Sequence, residues 1–405
     1  MIHFQLPRNN PNLFKYVDIS LTDNVPVPVI SNSLSFYLND IKKKIDNKEQ
    51  EWDTIKRYTN PCEYIHTSVP GKKKSVAKKK PLSRSYFKMI ELVYFFKLLD
   101  KGNMKKENIT SFHLAEGPGG FIEALSHIRD NKSDKYIGMS ILDDVNDPNI
   151  PGWKKSKQFI QDNPNVVIET GIDGTGDILN IDNFEYCKNS YANTMEIVTG
   201  DGGFDFSVDF NKQEYNIGDL LYAQVVYAIV MQKENGSFIL KIFDCFMQHT
   251  LDILALLSSL YDKVYITKPQ TSRYANSEKY IVCKNYIGPK ADVIYPYLYR
   301  GFEVIKNRKT NLFRILNLQL TLLFITKTEE YNAIFGQQQI ENIHYTLNLI
   351  DTNNKQEKIN SLIKMNVKKS MDWCLKYGVL HNNITIVNQS TSGDENDGIL
   401  FEDQK

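Results

Sequence analysis

Two rhythms of apolar residues alternate through the middle of the chain. Short apolar runs at about 110–115 (TSFHLA), 135–140 (KYIGMS), 165–169 (NVVIE) and 195–200 (MEIVTG) read as strands. Longer stretches at about 84–99, 215–234 and 248–260 carry their apolar positions at helical spacing. Further strands fall at about 237–243, 262–267 and 279–284. Strands alternating with helices predict a mostly parallel, doubly wound α/β sheet. The last two strands are joined by a connection too short for a helical crossover, which predicts an antiparallel final strand.

The flanks have a different texture. Residues 1–82 mix proline, asparagine and short apolar runs and end in GKKKSVAKKK, which reads as a mobile loop or linker. Its two readings are a solvated basic loop and a phosphate-attracting arm beside an RNA groove. After residue 300 the segments IENIHYTLNLI and INSLIKMNVKKSMDWCLKYG predict a helical module over 301–388. An acidic, polar tail over 389–405 is expected to be disordered. The alternating region, 83–300, is then expected to form the α/β domain.

Composition narrows the class. With 405 residues, 41% apolar and 12% aromatic, the chain can bury a large core. No run reaches the length of a membrane span and the start, MIHFQLPRNN, lacks a signal-peptide layout, so an intracellular soluble protein is expected. Cys62, Cys187, Cys245, Cys283 and Cys374 are odd in number and scattered, so neither a disulfide framework nor a metal site is expected. A net charge of +1 leaves any nucleic-acid affinity to local patches.

In a doubly wound sheet, ligands sit beyond the carboxyl ends of the strands, so the residues after each strand carry the chemistry. Glu116, Gly117, Pro118, Gly119, Gly120 and Phe121 follow the first strand and read as a glycine turn opening a helix. Met139 and Ser140 follow the second, GIDGTGDI with Asp173 and Asp177 the third, Asp201-Gly-Gly203 the fourth, and Lys241 the fifth, after the apolar run GSFIL. An acidic rim suits a nucleoside without phosphates that carries a cation, and S-adenosylmethionine meets both conditions.

The ordered segments SRSYFKMIEL, AEGPGGF, DGGF, FILKIFD and KPQTSRYANSEKYIVCK resemble the motifs of the FtsJ-like ribose 2′-O-methyltransferases. GIDGTGDI and TSRYANSEKY are similar to the eukaryotic and large-DNA-virus members that methylate the first transcribed nucleotide of capped mRNA. The resemblance implies a Rossmann-like methyltransferase fold and a catalytic tetrad of Lys88, Asp201, Lys241 and Glu278. It places S-adenosylmethionine against residues 116–121, Met139, Ser140, Asp177 and Asp201, with Glu116 standing where a small residue is usual. RNA contacts are expected from Arg84, Lys268, Ser272, Arg273 and Asn276; Tyr58, Tyr64 and Phe243 are candidates for stacking on a cationic cap base. Alternatives are ribosomal or transfer RNA as substrate, and a silent RNA-binding subunit of a capping or polyadenylation assembly. The richness in asparagine, isoleucine and lysine suits an AT-rich genome; a viral protein is expected in the cytoplasm, a cellular one in the nucleus.

Overall fold

The computed structural model describes residues 1–100, 107–142, 152–203 and 213–384; the tail expected over 389–405 lies outside them. The first part of the chain forms β1 (Ile2–Gln5), β2 (Val17–Thr22), α1 (Asn32–Asp46), α2 (Glu49–Ile55) and α3 (Ser85–Phe96). The central part follows as β3 (Thr110–Leu114), α4 (Gly120–Arg129), β4 (Lys135–Met139), α5 (Lys157–Asp162), β5 (Val166–Glu169), α6 (Ile181–Tyr191) and β6 (Met195–Gly200). Then come α7 (Gln213–Asn216), α8 (Gly218–Met231), β7 (Gln232–Ile242), α9 (Gln248–Leu260), β8 (Tyr261–Lys268) and β9 (Lys279–Tyr286). The chain continues through α10 (Ala291–Asn307), β10 (Asn311–Leu316), α11 (Leu322–Asp351) and α12 (Gln356–Lys376).

Eight strands build one sheet in the order β1-β8-β9-β7-β6-β3-β4-β5. Strands β7, β6, β3, β4 and β5 run parallel, and β9 lies antiparallel between β7 and β8, as the short connection before it requires. Strand alternation sorts the side chains into two cores. In β6, Val198 packs with α6, α8, α9 and α10, while its neighbour Ile197 packs with α3, α4 and α12. Leu114, at the end of β3, pairs with Met139 of β4 on one side and Gly200 of β6 on the other. The chain order reverses there, which opens a crevice at the carboxyl edge.

Three local expectations are corrected. The helix expected over 215–234 stops at Met231, because Gln232 already pairs with Met195 and its side-chain amide donates to the Met195 carbonyl. The region after 300 is not wholly helical: β10 pairs antiparallel with β2. The lysine-rich stretch is no free linker either. Val76 and Ala77, the apolar interruption of the lysine run, are buried, their N–H groups donate to the Tyr64 and Ile65 carbonyls, and Ala77 bridges to His381.

The flanks also interlock. Strand β1 extends the main sheet along β8. Helix α1 packs on α11 so closely that a Cβ on Gly336 would lie 2.7 Å from Leu34. The Thr59 and Thr346 hydroxyls are 2.7 Å apart, and the Asn366 amide donates to the Tyr58 carbonyl.

Candidate active site

At the carboxyl edge of the sheet four charged side chains from distant segments meet as two ion pairs. Lys88, in the first turn of α3, places its ammonium 2.7 and 2.8 Å from the two oxygens of Glu278, just before β9. Lys241, near the end of β7, sits 3.3 Å from the Asp201 carboxylate and also donates to the Asp201 carbonyl. Tyr280 ties the pairs together: its hydroxyl donates to Asp201 at 3.1 Å and its ring lies 5.9 Å from the Lys88 ammonium. Sequence reasoning overlooked Tyr280, because one aromatic in a buried strand carries no signal of its own.

Burial shapes the Lys88–Glu278 pair. It opposes ionisation of Glu278, but the ammonium groups of Lys88 and Lys241 outweigh that and hold the carboxyl well below the usual range. For Lys88, burial lowers the proton affinity while Glu278 and Asp201 oppose the fall. Lys88 is thus held by both oxygens of its partner. Lys241 leans on one carboxylate oxygen and one carbonyl, and lies against Gly203, where a Cβ would come within 3.3 Å of its nitrogen.

The glycine turn serves packing as much as ligand approach. A Cβ on Gly120 would lie 2.2 Å from the Ser85 hydroxyl, so its absence lets α3 sit on the start of α4 and brings Lys88 inward. At Gly117 a Cβ would meet the Gly152 carbonyl at 2.6 Å, and Gly119 adopts a left-handed φ of 98°. Glu116 is buried; one carboxylate oxygen accepts from the Phe121 N–H at 2.5 Å, and the other has no hydrogen-bond partner among the described residues. Burial raises its pKa well above the ordinary value. An unpartnered buried acceptor beside a glycine turn and a helix start fits the cationic amino-acid part of S-adenosylmethionine.

Phe121 and Met139 are fully buried in the two cores, so only their backbones border the crevice. Ser140 is nearly buried, and its carbonyl receives the 171–178 loop: Gly176, with φ of 70°, would drive a Cβ to 2.2 Å from that oxygen. Within this loop Asp173 is a turn residue, accepting from Thr175, Asn180 and Asn183, while Asp177 spends one oxygen on the Leu179 N–H.

The expected RNA contacts divide. Arg84 and Arg273 lie half-exposed at the rim beside the tetrad, and Asn276 is exposed. Arg273 pairs neither with Glu278 nor with Asp201 but with Glu63, at 2.6 and 3.0 Å. Lys268 is buried and donates to the Asn276 and Glu278 carbonyls at 2.6 and 2.7 Å, which makes it a brace of the 269–278 loop. Ser272 is buried, its hydroxyl without a partner among the described residues. Glu91 holds the same loop from below, accepting from Gln270 and Thr271 N–H groups and from the Trp373 indole of α12. Of the stacking candidates, Tyr64 is a core residue, whereas Tyr58 and Phe243 are half-buried.

A parallel sheet reversing at β3, an antiparallel strand beside β7, and a glycine turn facing an acid-lined rim together define a Rossmann-like methyltransferase. The chain belongs to the FtsJ-like methyltransferase family, whose model matches residues 81–286. It is 30% identical over 340 residues to a protein of Pongo abelii named cap-specific mRNA (nucleoside-2′-O-)-methyltransferase 2, covering 80% of this chain and 42% of that one. It is 31% identical over 196 residues to the cap-specific mRNA (nucleoside-2′-O-)-methyltransferase 1 of Trypanosoma brucei brucei, covering 47% of this chain and 53% of that protein. This chain therefore spans about half the length of the curated relatives it matches or less.

Proposed function

We propose that the chain is a cap-specific mRNA 2′-O-methyltransferase acting on the first transcribed nucleotide of capped mRNA. The observation that carries this reading is the convergence of Lys88–Glu278 and Lys241–Asp201 at the sheet's carboxyl edge. The cap-specific names borne by its relatives favour capped mRNA over ribosomal or transfer RNA, and the intact tetrad speaks against a silent subunit.

S-adenosylmethionine, when bound, supplies an electrophilic methyl group on a sulfonium. Residues 116–121, Ser140, Asp177 and Asp201 would hold it. A ribose 2′-hydroxyl is a poor nucleophile until its proton is removed, and the Nζ of Lys241, as the free amine, is the assigned acceptor. Lys88, paired with Glu278, contributes positive charge beside the reacting atoms. Asp201, oriented by Tyr280, aims Lys241. Holding the hydroxyl and the methyl donor in line supplies the remainder.

The test is transfer of labelled methyl to a short 7-methylguanosine-capped RNA, beside uncapped RNA and capped RNA already methylated on its first ribose. Label on the first ribose, lost in Lys241→Ala with cofactor affinity retained, is the expected result. Label only on the pre-methylated RNA would move the target to a later nucleotide, and full turnover by Lys241→Ala would remove Lys241 from its role. By this reading the site of action is cytoplasmic for a viral protein and nuclear for a cellular one.

A further inference from the structure

Glu63 lies in a short turn, Glu63–Ile65, ahead of the region matched by the family. It is 1% exposed, and its carboxylate is filled. Oε1 accepts from Arg273 at 2.6 Å and from the Thr67 hydroxyl at 3.0 Å; Oε2 accepts from the Arg273 Nε at 3.0 Å and the Asn60 amide at 2.7 Å. Arg84 stands 3.9 Å away and donates to the Thr271 carbonyl at 3.1 Å. Burial opposes the Glu63 charge, yet the Arg273 hydrogen bonds and the charges of Arg84 and Arg273 bring its pKa down to about 2. The carboxylate is therefore permanent at any physiological pH.

Two guanidinium groups and one carboxylate leave a single excess positive charge. Unlike Glu63, both arginines are partly open to solvent. The cluster also flanks the tetrad: Arg84 is one helical turn before Lys88, and Arg273 is five residues before Glu278. Left alone, two adjacent guanidiniums repel each other and lose rotamer order; a shared buried carboxylate aligns one fork and draws in the second.

We infer that Glu63 is a positioning residue for RNA: it fixes Arg84 and Arg273 as a preformed cradle for a backbone phosphate next to the reacting ribose. This rests on the function proposed above. A purely electrostatic role predicts the opposite sign, since removing a carboxylate adds positive charge and should tighten binding to a polyanion.

The experiment compares wild type, Glu63→Gln, Glu63→Asp, Arg273→Lys and the Glu63→Gln/Arg273→Lys double variant in steady-state methyl transfer to capped RNA. Cofactor affinity and equilibrium binding of the same RNA by fluorescence anisotropy are measured alongside. Glu63→Gln should raise the RNA KM about tenfold with kcat changed less than about threefold and cofactor binding intact. Glu63→Asp should fall between, and the double variant should be no worse than either single, because both remove the same fork. A lower KM in Glu63→Gln, or fully additive losses in the double variant, would overturn the inference. If wild type transfers methyl to no RNA, the function reading falls and the binding measurement decides this one: weaker binding by Glu63→Gln sustains it, while unchanged, tighter or absent wild-type binding overturns it. Should Glu63→Gln fail to fold, Arg273→Lys decides alone, and a wild-type KM there is equally fatal.

Discussion

Removing the charge of Glu278 while leaving Lys88 in place should cost far more than removing the pair. At 2.7 Å and an effective dielectric of about 20, the Coulomb attraction is on the order of 6 kcal/mol. Taking both groups out of water costs several kcal/mol per ion, so the intact pair adds little net stability. With side chains only 9% and 14% exposed, water cannot simply replace a lost partner. Glu278→Gln strands a buried ammonium and should lower the unfolding free energy by about 3–5 kcal/mol at pH 7. The loss should shrink as pH rises. Burial lowers the Lys88 pKa in the folded state relative to the unfolded chain, so above that folded pKa the unfolded state binds more protons and stability increases with pH. Lys88→Met/Glu278→Leu, which empties the site of both charges, should return to within about 1 kcal/mol of wild type. Urea unfolding at pH 7 and 9 measures stability, and the methyl-transfer assay should read zero for every variant. A double variant as unstable as Glu278→Gln, or more so, would show that packing, not charge, sets the cost. Activity in the uncharged double variant would refute the assignment of this pair to catalysis.

Two further outcomes follow from buried or rim carboxylates. Burial raises Glu214 to about 7 although it accepts from the Phe246 and Met247 N–H groups, so the folded state binds more protons than the unfolded chain between about pH 4.5 and 7. The stability that Glu214 contributes should therefore fall by up to about 3 kcal/mol across that window and stay level above it, so the difference between wild type and Glu214→Gln, measured by thermal unfolding from pH 4.5 to 8, should change by that amount between pH 4.5 and 7 and not beyond. Asp177→Ala should raise the cofactor dissociation constant about tenfold or more while turnover at saturating cofactor changes little; calorimetric titration giving a wild-type constant would remove Asp177 from the cofactor site.

The parallel strands were legible because each is a short apolar run facing two helical layers, so local pattern and final environment agree. The meeting of Lys88, Asp201, Lys241 and Glu278 in two ion pairs was legible only jointly: these residues mean little singly and become specific through the motifs around them. What escaped was long-range. Strand β10 is six residues in a helical neighbourhood whose partner, β2, is almost 300 residues earlier. Glu63 looks like any surface glutamate until Arg273, 210 residues later, arrives beside it. Lys268 belongs to a motif yet faces inward, because its strand end points it at two carbonyls rather than at solvent.

Strand β1 has a consequence for biosynthesis. Ile2 faces Lys268, so the stretch that closes the sheet's edge is translated 266 residues before the edge it closes. At the ribosome's pace of about 5–20 residues per second, that stretch waits on the order of 10–50 s for its mate. Meanwhile the alternating side chains of Ile2 and Phe4 form a strand with open hydrogen-bonding groups, and the growing sheet ends in an uncapped β8 until β1 docks. Nascent copies should thus be most adhesive between the synthesis of β1 and that of β8, when a holdase that shields extended segments would improve the yield most.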